Sequence, residues 1–195
     1  MMARITAASL LALGILSGCA SDSQPDNVEN ACAIFDDRPH WERAIFRAER
    51  KWNAPAHVAM AIIWKESSYR PDAAPPKKYI LGFIPNGRIS SAYGFSQAID
   101  GTWDWYMKET GNSGADRDDF DDASDFVGWY MAKSNKLDGI PMTDAYNQYL
   151  AYHEGRAGFS RGSYNSKAWL LRVADEVGNR ALIYEVQLAN CRAAR

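Results

Sequence analysis

Residues 54–73 read APAHVAMAIIWKESSYRPDA, and their spacing decides the fold. Pro55 stands where a helix can begin without losing a hydrogen bond, and Arg70-Pro71 is where one should end, because the residue before a proline is pushed out of helical geometry. Between them Val58, Ala59, Ile62 and Ile63 form an apolar stripe at helical spacing, and Glu66 continues it. A carboxylate on such a stripe points inward. Desolvation disfavours its anion there, and so does the negative end of the helix dipole. Both favour a neutral carboxylic acid near neutral pH, the state a general acid requires. The alternative is a glutamate at a helix end, paired with Arg70 or Lys65.

On either side of this segment the pattern is again helical. Asp36 and Asp37 ahead of Pro39 predict a capped start, followed by Trp41, Ile45, Ala48 and Trp52 at helical spacing. Further helices are expected near 97–109, 118–137, 143–154 and 166–189, with Gly111, Gly139 and Gly155 at their stops. Between 71 and 92 prolines are dense (Pro71, Pro75, Pro76, Pro85), and Asn86-Gly87 predicts a turn pairing 79–83 with 88–91. The expected domain is mainly α with one small β-hairpin.

Three short elements then speak together. Glu66-Ser67-Ser68-Tyr69-Arg70-Pro71-Asp72-Ala73 resembles the Glu-Ser-x-aromatic-x-Pro-x-Ala signature of lytic transglycosylases with a lysozyme-like fold. Gly94-Phe95-Ser96-Gln97, followed by Ala98-Ile99 and Thr102-Trp103, resembles that family's Gly-aliphatic-Met-Gln element. Ala151-Tyr152-His153-Glu154-Gly155 resembles its Ala-Tyr-Asn-x-Gly element. Each is weak alone, but they stand in the family's order, and the resemblance spans roughly residues 40–175. It implies a lysozyme-like α+β domain with Glu66 as catalytic acid and base. Ser67 and Gln97 would bond substrate or order the site, and Tyr152 would reach Glu66 or the sugar. Tyr93, Phe95 and His153 would lie against substrate. Two departures are His153 for the usual Asn and Ser96 for the usual Met. The 72–92 insertion is longer than usual and is read either as a substrate-selecting cap or as a structural flap.

The chemistry implied by the resemblance is cleavage of the MurNAc–GlcNAc bond of peptidoglycan with formation of 1,6-anhydroMurNAc, with a single essential carboxylate and no cofactor or metal. Admission of water would instead give a hydrolytic muramidase. A fold that had lost its chemistry would be a non-catalytic peptidoglycan-binding protein. Asp100 and Asp104 read better as helix-start residues than as a second carboxylate. Asp116–Asp122 lacks the glycine and late glutamate of a calcium loop, and reads as an acidic helix start. Trp103, Trp105, Tyr106, Trp129, Tyr130 and Trp169 are candidates for a glycan groove, most of them expected in the core.

The chain begins MMARITAASLLALGILSG, an Arg followed by an apolar run from Ile5 to Leu16, too short to span a bilayer and built like a signal-peptide core. Leu16-Ser17-Gly18-Cys19 resembles the lipobox of bacterial lipoproteins. That implies removal of residues 1–18 and acylation of Cys19, a membrane partner through the lipid. Ala20 after the cysteine favours the periplasmic face of the outer membrane. Residues 19–35 are expected to be a lipidated tether and 36–195 the domain. With Cys19 given to lipid, Cys32 and Cys191 remain, and the exported compartment predicts a bridge between them, two free thiols being the alternative.

Composition bounds the rest. The 195 residues carry 22 Lys+Arg against 24 Asp+Glu, so no cationic footprint for nucleic acid is expected. With 47% apolar residues the chain can build a core, and three His and three Cys without HExxH or CxxC leave little for a zinc site.

Overall fold

Asn30 caps the first helix among the described residues, its side chain accepting from the Ala33 amide. The computed structural model describes residues 23–193, with side chains through Cys191. The leader 1–18 and Cys19 therefore lie outside the described residues. In chain order the helices are α1 (Ala31–Asp37), α2 (Pro39–Trp52) and α3 (Ala56–Ser67), then strands β1 (Lys77–Ile80) and β2 (Ile84–Arg88). After these come α4 (Asp100–Thr110), α5 (Phe120–Asp138), α6 (Ala145–Ser160), a 3-10 turn at Ser163–Ser166, and α7 (Ala168–Ala193). Among the described residues the architecture is the mainly α, lysozyme-like one, with one small β-hairpin.

The N-terminal boundary differs from expectation. Asp36 and Asp37 close α1 instead of capping α2, whose N-cap is Arg38 with Pro39 in the first turn. The folded part starts well before Asp36, because Ala31, Ile34 and Phe35 are buried. Upstream of α1, the Gln24 amide donates to the Ser68 carbonyl at 2.8 Å and the Trp64 indole donates to Glu29 at 3.1 Å. The expected tether is thus, from Ser23 onward, part of the domain. The reason is α1's apolar face at Ala31, Ile34 and Phe35, a period too short to register beside the polar residues preceding it. Cys32 and Cys191 are disulfide-bonded with Cα atoms 5.7 Å apart, tying α1 to α7.

α3 is the central element. Val58, Ala59, Met60, Ala61, Ile62 and Ile63 are all fully enclosed, since α2, α5, α6 and α7 pack around it. A helix enclosed along its middle needs no amphipathic period there, and apart from the partly exposed His57 of its first turn only its last turn reaches a surface. There Ser68 and Tyr69 adopt left-handed geometry (φ 52° and 61°) and end the helix. Behind that end lies an aromatic cluster. Trp41 of α2 stacks on Phe120 of α5 at 4.1 Å, with Phe95 edge-on to both at 5.3 Å and Tyr69 stacked on Trp41 at 5.9 Å.

The hairpin forms in a different register from the one expected. Ile80 pairs with Ile84 and Tyr79 with Pro85, so the chain reverses at Leu81-Gly82-Phe83 and not at Asn86-Gly87. Leu81 and Gly82 both take positive φ (53° and 79°), the geometry of a tight hairpin. Lys77 pairs with Arg88, so two steps along β1 match three along β2. The extra residue falls at Asn86-Gly87, where Gly87 (φ 71°) makes a bulge. Gly111 and Gly139 are left-handed C-caps as expected, whereas Gly155 kinks α6 without ending it (φ 68°, ψ 158°). Asp119 caps α5, with Asp121 and Asp122 in its first turn.

Candidate active site

Glu66 is the penultimate residue of α3, where the buried helix meets a cavity of about 350 Å³. The site is assembled from four places. Glu66 comes from α3; Gln97 and Ile99 come from the loop into α4, and Thr102 from the first turn of that helix; Tyr152, His153 and Glu154 come from α6 just before the Gly155 kink. Tyr130 and Phe126 of α5 form the back wall.

Burial pushes the Glu66 carboxyl up from 4.5 to about 7, opposed in part by the Tyr149 hydroxyl and then by Lys65. The residue as a whole keeps some surface at the cavity, but its Oε1 is buried and has no hydrogen-bond partner among the described residues. The two partners that would make it an ordinary surface glutamate are engaged elsewhere. Lys65 pairs with Glu176 at 2.5 Å, and the Arg70 Nε donates to the Ser67 carbonyl at 3.3 Å. A carboxyl poised near 7 at a cavity can both give and take a proton at neutral pH.

The other expected site residues divide. Gln97, Tyr152 and His153 line the same cavity as Glu66. Gln97 (φ 50°) donates from Nε2 to the carbonyls of Ala73 and Gly94, at 2.8 and 2.9 Å, so it locks the loop after Pro71 to its own loop. The Tyr152 hydroxyl donates to the Ser96 carbonyl at 2.6 Å, stitching α6 to that loop. Burial foremost, and then the nearby Glu66 charge, keep it protonated far above the usual phenol range. His153 is at the rim, edge-on to the exposed ring of Trp169 at 5.3 Å, with Nδ1 3.3 Å from Glu154.

Ser67, Phe95 and Tyr93 do not line that cavity. Ser67 is buried and donates to the Ile63 carbonyl at 3.2 Å, a bond that finishes the helix. Phe95 is fully enclosed in the aromatic cluster, where a motif aromatic serves packing. Tyr93 belongs to a neighbouring depression, its hydroxyl 3.5 Å from Asp118. Ser96, at the position of the family's Met, is buried behind the wall. Gly94 is required by geometry: at φ 72° a Cβ would stand 2.0 Å from the Arg117 carbonyl oxygen.

Two residues were not singled out from the sequence. Tyr149 faces the Glu66 carboxyl, and burial followed by the Glu66 charge raises its own hydroxyl so that it stays a neutral donor. Its signal was present, since it lies one helical turn before Tyr152 and so on the same face. Glu154 sits on the cavity wall with its side chain almost wholly enclosed. Burial would raise it, but Lys167 at 2.7 Å, Ser163 and His153 together hold it below the usual carboxylate range. No local pattern announces that network, because Lys167 arrives from beyond the 3-10 turn. Among the described residues no group of three or more His, Cys, Asp or Glu is placed to hold a metal ion.

No curated protein matches this chain. The family model described as "Transglycosylase SLT domain" matches residues 7–191, nearly the whole length and all three elements that build the cavity. With Glu66, Gln97 and Tyr152 drawn from those elements onto one wall-to-wall site, the chain belongs to the transglycosylase SLT domain family.

Proposed function

We propose that the chain is a peptidoglycan lytic transglycosylase in which Glu66 acts first as acid and then as base. The observation that carries this is a carboxyl raised to about 7 at the mouth of a cavity, without an ion-pair partner among the described residues. In the first step protonated Glu66 gives its proton to the oxygen linking MurNAc to GlcNAc. The bond from that oxygen to the MurNAc anomeric carbon breaks, and its electron pair stays on the departing oxygen. The oxocarbenium-like carbon is supported by the sugar's own N-acetyl carbonyl, so a second protein carboxylate is not needed. In the second step ionised Glu66 takes the proton of the C6 hydroxyl, whose oxygen bonds to the anomeric carbon. The product is 1,6-anhydroMurNAc, and the acid is regenerated.

The chain's other residues fit supporting roles. Gln97 and Tyr152 hold the two loops and α6 at a fixed distance, which keeps the acid and the bound sugar in register. Tyr149 tempers the acid. Phe126 and Tyr130 form the back wall, and exclusion of bulk water there would favour the anhydro product over hydrolysis.

Digestion of purified peptidoglycan followed by mass spectrometry of the fragments tests this reading. Anhydro ends are expected, and Glu66→Gln should abolish them while the protein still folds and binds. Reducing ends would make the enzyme a hydrolytic muramidase. Intact glycan with binding that survives Glu66→Gln would make it a non-catalytic binder.

We further infer that residues 1–18 are removed on export, that Cys19 is acylated, and that the domain works at the periplasmic face of the outer membrane. The apolar run from Ile5 to Leu16 and the Leu-Ser-Gly-Cys junction support this. Partition of the protein into a detergent phase should be lost on Cys19→Ala; unchanged partition would contradict it.

A further inference from the structure

The β1–β2 hairpin is exposed on both faces along its whole length. At its tip Leu81 is 78% and Phe83 72% exposed, and Tyr79, Ile80 and Ile84 behind them are also exposed. Residues directly opposite in an antiparallel pair share a face, and successive residues alternate. Ile80 and Ile84 therefore occupy one face, and Tyr79 and Pro85 the other. A hairpin built to cover a protein surface would be apolar on one face and polar on the other. This one is apolar on both faces from Tyr79 to Pro85, its tip half.

Charge is arranged along the same axis. Lys77, Lys78 and Arg88 stand at the end away from the tip, and Lys77 pairs with Arg88 across the ladder. Residues 73–99 contain no Asp or Glu, in a chain of net charge −2. From Lys77 to Ile80 the strand rises about 10 Å. An apolar tip, a tyrosine and then a cationic collar over that length follow the order of a lipid leaflet from acyl chains to anionic headgroups. Arg88 is steadied by its bond to the Pro75 carbonyl at 2.5 Å, and Pro75-Pro76 stiffens the hairpin's root.

We propose that the 77–88 hairpin is a membrane-docking element that inserts its Leu81–Phe83 tip among the lipids of an anionic leaflet, with Lys77, Lys78 and Arg88 at the phosphates. Ala92, just beyond the hairpin, lies on the wall of the Glu66 cavity. Docking thus holds that cavity at a fixed height and orientation over the bilayer. The element acts whether or not Cys19 carries lipid, and it does not depend on the chemistry at Glu66.

The test places an environment-sensitive dye on Phe83→Cys in the full chain carrying Cys19→Ser, so that the reading is local even if the apolar N-terminal segment also binds lipid. With vesicles of phosphatidylglycerol and phosphatidylethanolamine the dye emission should shift to the blue and be quenched by lipids labelled near the headgroup. Vesicles of phosphatidylcholine alone, or the pair Lys77→Glu and Lys78→Glu, should weaken the response about tenfold or more. Leu81→Ser should weaken it by a similar factor. A dye that stays in a water-like environment with anionic vesicles would overturn the proposal. A shift seen with purified peptidoglycan and not with vesicles would overturn it too, assigning the hairpin to glycan.

Discussion

Replacing Glu66 by Gln should make the protein more stable in mild alkali than in acid, relative to wild type. The folded chain holds the Glu66 proton more tightly than the unfolded chain does, with the group raised by burial from 4.5 to about 7. Between those values the folded state binds more protons than the unfolded one, so this residue's contribution to stability falls as pH rises through the window. Above pH 7 the full cost of an ionised carboxylate in the pocket is present, on the order of 3 kcal/mol for a shift of this size. The carboxyl's partial access to the cavity makes that an upper figure. Gln keeps the shape and removes the titration. Any cost of burying the amide is the same at every pH, so it cancels when the difference between variant and wild type is compared at two pH values. Denaturant melts at pH 4 and pH 8, with the disulfide intact, should show Glu66→Gln gaining about 2 to 3 kcal/mol on wild type between the two. In thermal melts the gain is on the order of 5 to 10 °C for a domain of this size. A difference that does not move with pH would mean that Glu66 titrates like a surface glutamate, and the acid–base reading of the site would go with it.

Tyr149→Phe removes a donor that favours the Glu66 anion, so the alkaline limb of the activity profile should move to higher pH; an unmoved limb would remove Tyr149 from the site. Gly94→Ala places a Cβ against the Arg117 carbonyl at a left-handed φ, and should cost roughly 3 kcal/mol in denaturant melts, with activity lost in proportion to folding. Reduction of the Cys32–Cys191 bridge, which spans 159 positions of sequence, should cost up to about 5 kcal/mol by the chain-entropy account. Melts with and without reductant measure it, and a loss under 1 kcal/mol would mean that the termini are held by α1–α7 packing alone.

The helices around α3 were legible because their signals are local: Pro39 and Pro55 at starts, Gly111 and Gly139 at stops, the acidic run Asp116–Asp122 at the start of α5. Glu66 was legible for the same reason, as a charge on an apolar stripe whose burial the packing of α3 then completes. What failed was whatever depends on partners distant in sequence. The packing of α1 against α7 is declared by nothing in residues 23–37 except Cys32, whose bridge to Cys191 was expected although the helix carrying it was not. The hairpin was misplaced because Asn86-Gly87 and Leu81-Gly82 both suit a reversal. Only pairing of Ile80 with Ile84 selects the latter. Phe95 and Tyr93 were expected at the substrate from the family resemblance, but a motif preserves packing as well as chemistry, and resemblance alone does not separate the two.

That last confusion has a physical resolution. Ser68, Tyr69 and Gln97 all hold positive φ without being glycine, each at a cost of about 1 kcal/mol or more. Such geometry persists only where the surroundings enforce it. Tyr69 is three residues beyond the acid and Phe95 two before the glutamine, and both are clamped in the Trp41–Phe120 cluster. The aromatic side chains of the two motifs are thus the weights that keep the strained turns in place, while Glu66 and Gln97 line the cavity. The acid's position and the glutamine's are consequently set by one shared core. A truncation at Phe95 or Tyr69 should therefore disturb the site by letting both turns relax together, although neither ring borders the cavity.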